Sequence, residues 1–224
     1  MRQRWENLLF LHWEWDPVVV QRSLPAELTV DTWNGLAYIG FVPFFMRGVR
    51  PTGCPAVPGI SNFLELNIRT YVRDREGRPG VWFYSLDCDQ LLAVWVARTF
   101  FHLPYFNARM RATRDENTVT YECRRVGQHV SAAFRYEATG QAAPALAGSL
   151  EEFLVERYRL FSKNGEALLT GRVWHRPYEI RRASHIGTTA TPMIQAGFDP
   201  CGRDPSHACF SPGVDVRIFP MSPA

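Results

Sequence analysis

Lysine is almost absent: the chain has 25 basic residues, and only Lys163 among them is not arginine. That leaves one side-chain amine for imine chemistry. Long apolar runs are missing too. No stretch approaches the roughly 20 apolar residues of a spanning helix, so no membrane partner is expected. The N-terminus, MRQRWENLLFLHWEWD, starts basic, but its apolar run is too short and too soon interrupted for a signal peptide. A cytoplasmic protein is the expectation. Cys54, Cys88, Cys123, Cys201 and Cys209 are odd in number and contain no CxxC, which argues against a disulfide framework. P-loop, GxGxxG, GxSxG and HExxH motifs are all lacking. Nucleotide-dependent chemistry and the serine-hydrolase elbow therefore have no motif behind them, and no cofactor is expected. Strong net charge is lacking as well, at +3. Arg124-Arg125 and Arg181-Arg182 have no interleaved aromatics, so nucleic acid is not an expected partner. Cys201, Asp204, His207 and Cys209 carry ligand chemistry, but their spacing fits no standard zinc pattern, and no metal is assigned.

What is present is aromatic and full of turns. The 224 residues include 15 Phe, 7 Trp, 16 Gly and 16 Pro, which favours many short strands around a ring-rich interior or pocket. Asp16-Pro17 is a cap followed by proline at the first helical position, opening a helix through Leu24. Asn34-Gly35 marks a hairpin. Ser61–Val72 and Val81–Asp87 form another, and Asp89 is placed to cap a helix over Gln90–Phe100. Ala108–Thr113 pairs with Thr118–Arg125. Ser149-Leu150-Glu151-Glu152 matches a capping box for a helix to about Phe161, and Ala167–Arg182 reads as one long strand region. The last forty residues are dominated by loop signals, with a strand at Val214–Phe219. One domain over residues 1–224 is expected, mainly β (α+β): an antiparallel β-barrel with two or three helices.

The strand at 61–72 carries the chemistry. A period of two puts Phe63, Glu65, Asn67, Arg69 and Tyr71 on one face and Leu64, Leu66, Ile68 and Val72 on the other. Either the polar face is wet, as is normal for an antiparallel sheet, or it lines a lumen. A carboxyl among aromatic walls has its pKa raised by desolvation, and a nearby arginine lowers it. A raised value suits proton transfer near neutral pH. His12 and Glu14 share a face of the first strand, an arrangement more often found as a surface pair.

The segments LLFLHW, DTWNGLAYIG, ELNIRTYV and SPGVDVRIFP together resemble the uncharacterised YqjF-like branch of the acetoacetate decarboxylase-like superfamily, over about residues 5–220. In the decarboxylases a helix ending in Gly-Arg-Glu leads to a proline and two lysines, the first of which forms the Schiff base. The matching residues here are Ala97-Arg98-Thr99 and Pro104-Tyr105-Phe106, so the amine is missing. The resemblance implies the barrel, a homo-oligomer, and a pocket glutamate at Glu65. Glu65 and Tyr105 become candidate catalytic residues, and Asn67, Arg69, Arg98 and His102 candidate ligand contacts. The expected function is binding of a small organic carboxylate or carbonyl compound in the barrel cavity. A lysine-independent acid–base enzyme of lyase or isomerase type using Glu65, and a non-catalytic scaffold, are the alternatives.

Overall fold

The computed structural model describes residues 1–188 and 190–224. Strand β1 (Arg2–Trp15) leads through helix α1 (Pro17–Arg22) to β2 (Thr29–Val30), β3 (Ala37–Arg50), β4 (Phe63–Arg73) and β5 (Pro79–Cys88). Helix α2 (Leu91–Phe100) precedes β6 (Tyr105–Asp115), β7 (Thr118–Arg125) and β8 (Ala132–Pro144). Then come α3 (Leu150–Val155), β9 (Arg159–Asn164), β10 (Ala167–Trp174), β11 (Glu179–Thr188), α4 (Ala190–Gln195) and β12 (His207–Pro223).

Local chemistry accounts for the first elements. Asp16 caps α1, its Oδ1 accepting from the Val18 amide at 2.8 Å, and Pro17 sits where no amide donor is needed. Asn34 and Gly35 both take positive φ, 50° and 81°, as a two-residue turn of the hairpin type requires.

The strands pair in the order β10-β9-β5-β6-β7-β8-β11-β12-β1-β3-β4-β2, with β4–β5 and β10–β12 pairing in addition. The two extra ladders close two circuits. One is β9-β10-β12-β1-β3-β4-β5, and the other is β5-β6-β7-β8-β11-β12-β1-β3-β4. They share β12, β1, β3, β4 and β5, a wall with a different interior on each side. Strand β4 shows the consequence. Phe63 and Tyr71 join one core with Phe10, Val42, Leu86 and Val173, while Leu64, Leu66 and Ile68 join another with Phe41, Tyr121 and Phe134. A wall strand must satisfy two interiors, so ten of its eleven residues are buried.

Several expectations need correction. The sheet is mixed, because β5 pairs parallel with both β6 and β9. The described residues contain four helices, not two or three. The apolar face of β4 is buried in a core to which β6, β7 and β8 contribute Ala108, Val119, Tyr121 and Phe134. Gln90 caps α2, while Asp89 instead accepts from the Leu64 amide at 2.8 Å. Helix α3 stops at Val155, and the expected last turn is strand β9, held by ladders to β10 and β5 that override a local helical pattern. Pro177, with no amide to donate, splits the 167–182 segment into β10 and β11. The supposed C-terminal loops contain α4 and the seventeen-residue β12. Pro212-Gly213 reads in sequence as a turn entering a strand, yet it lies inside β12. Gly213 has φ 141°, and a Cβ there would stand 2.4 Å from the Trp5 carbonyl oxygen, so glycine is what allows β1 to approach.

Candidate ligand-binding site

The inward face of β4 opens on a cavity of about 350 Å³ lined by the circuit that contains β9 and β10. Its walls are mostly apolar, with Phe63, Val81, Phe83, Leu103, Leu160 and Ile218 among them. Helix α2 contributes Leu92, Ala93, Val96 and Ala97, and Gln90 ties the helix to the 51–62 loop by donating to the Gly59 carbonyl at 2.8 Å.

Glu65 projects into this cavity and is 3% exposed. Register explains its partner. Glu65 pairs with Cys88 on β5, whose Leu86 pairs with Tyr105 on β6. The Tyr105 hydroxyl therefore arrives over the carboxylate and donates to Oε2 at 2.6 Å. Desolvation raises the Glu65 pKa to about 7, against the lowering effect of hydrogen bonds from Tyr105 and then Asn67. Of the two opposing effects anticipated from sequence, burial wins, because Arg69 turns elsewhere. Tyr105 is itself pushed well above 10, first by burial and then by the adjacent Glu65. Its hydroxyl thus keeps its proton and donates it to the Glu65 carboxylate as a hydrogen bond.

Arg69 lines the same cavity, its Nη2 donating to the Leu154 carbonyl at 3.2 Å and to the Tyr71 hydroxyl at 3.4 Å. A buried chain continues from there. Arginine can only donate, so the Tyr71 oxygen accepts from Arg69; the same hydroxyl lies 2.6 Å from His12 Nε2, and His12 Nδ1 lies 3.0 Å from His207 Nδ1. Burial, followed by the charges of His207 and Arg69, lowers the His12 pKa well below its usual value. His12 is therefore a buried network residue, and its partner is not the exposed Glu14.

Among the described residues, three polar atoms on the cavity wall are buried without a hydrogen-bond partner: Trp5 Nε1 and Arg69 Nε, both donors, and Gln3 Oε1, an acceptor. Unpaired buried polar atoms cost stability unless a ligand or water meets them. Asn67 is buried beside Glu65, and its Oδ1 is also unpaired, but it does not line the cavity. Arg98 is exposed on the last turn of α2, and His102 occupies the turn beyond it at φ 51°; neither is brought to the cavity. Lys163 is outside too, its Nζ 3.6 Å from Glu27 and 3.7 Å from Glu166. Cys201 is exposed while Cys209 and His207 go inward, so the C-terminal group does not converge. Sequence reasoning missed Gln3, Trp5 and Arg157, the last of which also lines the cavity.

The circuits of strands have the acetoacetate decarboxylase-like fold. An acetoacetate decarboxylase-like enzyme from Sphingomonas wittichii RW1 superposes with a TM-score of 0.68 at 15% identity, covering 100% of this chain and 92% of that one. The acetoacetate decarboxylase of Legionella pneumophila gives 0.62 at 13%, covering 99% and 88%. The enduracididine biosynthesis enzyme MppR, complexed with pyruvate, gives 0.65 at 12%, covering 100% and 90%. More narrowly, the chain belongs to DUF2071, a family of uncharacterized conserved proteins whose model matches residues 2–215. It is 40% identical over 185 residues to the uncharacterized protein YqjF of Bacillus subtilis, covering 82% of this chain and 76% of that one.

Proposed function

We propose that the cavity binds a small organic molecule bearing a carbonyl or carboxylate oxygen, with the whole chain acting as one unit around it. The observation that carries this reading is the set of unpaired polar atoms on an apolar wall beside a carboxyl that is neutral below pH 7. Trp5 Nε1 and Arg69 Nε are donors awaiting an acceptor, and protonated Glu65 supplies a third. The pyruvate held by the similarly folded MppR supports this ligand class.

Thermal-shift and titration measurements with a panel of small keto and carboxylic acids test the idea. A binder at a hundred times its Kd should add about 2.7 kcal/mol of stability. Arg69→Met should weaken it roughly tenfold, the worth of one charge-assisted hydrogen bond. If no acid of the panel shifts the melting curve, while a purely apolar probe does, the cavity is a hydrocarbon site and the reading falls.

A second reading, acid–base catalysis of lyase or isomerase type without an imine, is favoured by the pKa of Glu65 near 7, which suits both giving and taking a proton. In it Glu65 moves the proton and Tyr105 holds the carboxyl in place. No step is assigned to Lys163, given its ion-pairing to Glu27 and Glu166. No helix among the described residues is long and apolar enough to cross a membrane, and five free thiols suit a cytoplasmic setting. Leu91, Leu92 and Trp95 leave an apolar face of α2 exposed, as a homo-oligomer contact would; light scattering that finds only monomer at micromolar concentration would remove that proposal.

A further inference from the structure

The ends of β12, β1 and β3 carry a second concavity that shares Gln3 and Arg50 with the first, a cleft of about 840 Å³ whose lining includes six arginines against two carboxylates, Glu179 and Asp215. Strand register organises it. Trp174 on β10 pairs with Arg217 on β12, Arg217 with Arg2 on β1, and Arg2 with Arg50 on β3. The result is one row, Trp174·Arg217·Arg2·Arg50, spanning about 14 Å at the usual strand spacing. Like charges placed directly across strands destabilise a sheet, so three adjacent arginines are not explained by folding. In the next row the sequence does balance its charges. Arg4 Nε reaches Glu6 at 2.9 Å and Arg4 Nη1 reaches Asp215 at 3.2 Å, while Arg47 lies 3.6 Å from Glu6. Among the described residues, Arg2, Arg50, Arg176 and Arg217 have no carboxylate within 4.0 Å. Gln3, 7% exposed, also lines the cleft and keeps its Oε1 unpaired. At the end of the row Trp174 is half exposed, with the Arg217 guanidinium 5.5 Å from its ring centre.

We infer that this cleft binds a small molecule carrying a di- or triphosphate and a planar ring, with the phosphates along Arg217, Arg2 and Arg50 and the ring against Trp174. Guanidinium forks match phosphate oxygens two at a time, and a row of three suits linked phosphates better than a single one. An exposed indole at the end of the row offers a stacking face. No glycine-rich phosphate loop takes part; side chains do the binding. A nucleic acid strand fits less well, because the cleft carries one aromatic where a strand needs several.

Titration calorimetry on the full chain with orthophosphate, inorganic pyrophosphate and ADP tests this. ADP should bind more tightly than pyrophosphate, and pyrophosphate more tightly than orthophosphate, each weakening as salt rises. Arg2→Gln/Arg217→Gln should reduce pyrophosphate and ADP affinity at least roughly tenfold. Its melting temperature should be no lower than wild type, since like-charge repulsion is relieved. Trp174→Ala should remove the preference for ADP over pyrophosphate and spare pyrophosphate itself. Should the double variant fold poorly, Arg176→Gln provides the independent arm and should still weaken pyrophosphate. Equal pyrophosphate affinity in wild type and the arginine variants would overturn the site, as would binding of a short RNA with none of ADP. Arg2, Arg176 and Arg217 line the cleft and not the cavity, so their variants report on the cleft whether or not the cavity behind Gln3 holds a ligand.

Discussion

At pH 8 the Glu65→Gln protein is expected to melt above the wild type. Glu65 has an ordinary pKa of 4.5 and a folded value of about 7. Between those two values the folded state keeps a proton that the unfolded chain releases, so stability is greatest below the unfolded value and is lost as pH rises towards the folded one. The loss is about 3 kcal/mol at 1.36 kcal/mol per pKa unit. Glutamine does not titrate and still offers the Tyr105 hydroxyl a carbonyl oxygen. The variant should therefore show a flatter profile from pH 4.5 to 7 and gain about 6–12 °C at pH 8 for a chain of this size. Melting curves across that range check it; an unchanged slope in the variant would assign the titration to another group. A stabilising substitution at a buried acid is the pattern expected where stability has been given up for function. The same variant should lose any proton-transfer activity, since its amide can donate a hydrogen bond but not a proton.

The part of the site legible in sequence was the part governed by short-range rules. A period of two along β4 sorted Glu65, Asn67 and Arg69 from Leu64, Leu66 and Ile68, and the two sets enter different surroundings. What the period could not say was that both faces are buried, because that depends on closures between strands far apart in sequence. Tyr105 was placed near Glu65 by resemblance, and their meeting depends on a parallel β5–β6 ladder that no local signal marks. His12 and His207 lie 195 residues apart; in sequence His12 goes with Glu14 and His207 with the ligand-type residues of the C-terminal group. The arginine row was hidden for a different reason. Asn7 takes φ 52° and interrupts the alternation of β1, and the meeting of Arg217, Arg2 and Arg50 depends on the registers of β12, β1 and β3, which no local signal marks. Arg98 had the right neighbours in sequence but projects from the outer side of α2, where alignment with a family pattern carries no information about direction.

The other large effect is expected at Asp31. Its Oδ2 accepts from Arg157 at 2.8 Å and its Oδ1 from Arg73 at 2.8 Å; Asp31 and Arg157 are almost wholly buried, whereas Arg73 is half exposed. Arg157 also packs over Phe153 and Tyr71 and donates to the Phe153 carbonyl at 2.7 Å, so its guanidinium cannot swing out to water without giving up those contacts. Asp31→Ala leaves a buried cation without its partner and should cost about 3–5 kcal/mol. Removing both charges, in Asp31→Ala/Arg157→Met, should recover much of that loss, because the penalty belongs to the unpaired charge and not to the absent pair. Denaturant melts of the two single variants and the double variant test this; a double variant no more stable than Asp31→Ala would show that packing, not charge, sets the cost. The pair also bears on the cavity. Both Arg157 and Arg69 line it, but Asp31 neutralises Arg157, and among the described residues no carboxylate lies within ion-pairing distance of Arg69. An anionic ligand should therefore be drawn to Arg69. Asp31→Ala should weaken the fold while tightening anion binding, because it frees the second cation on the same wall.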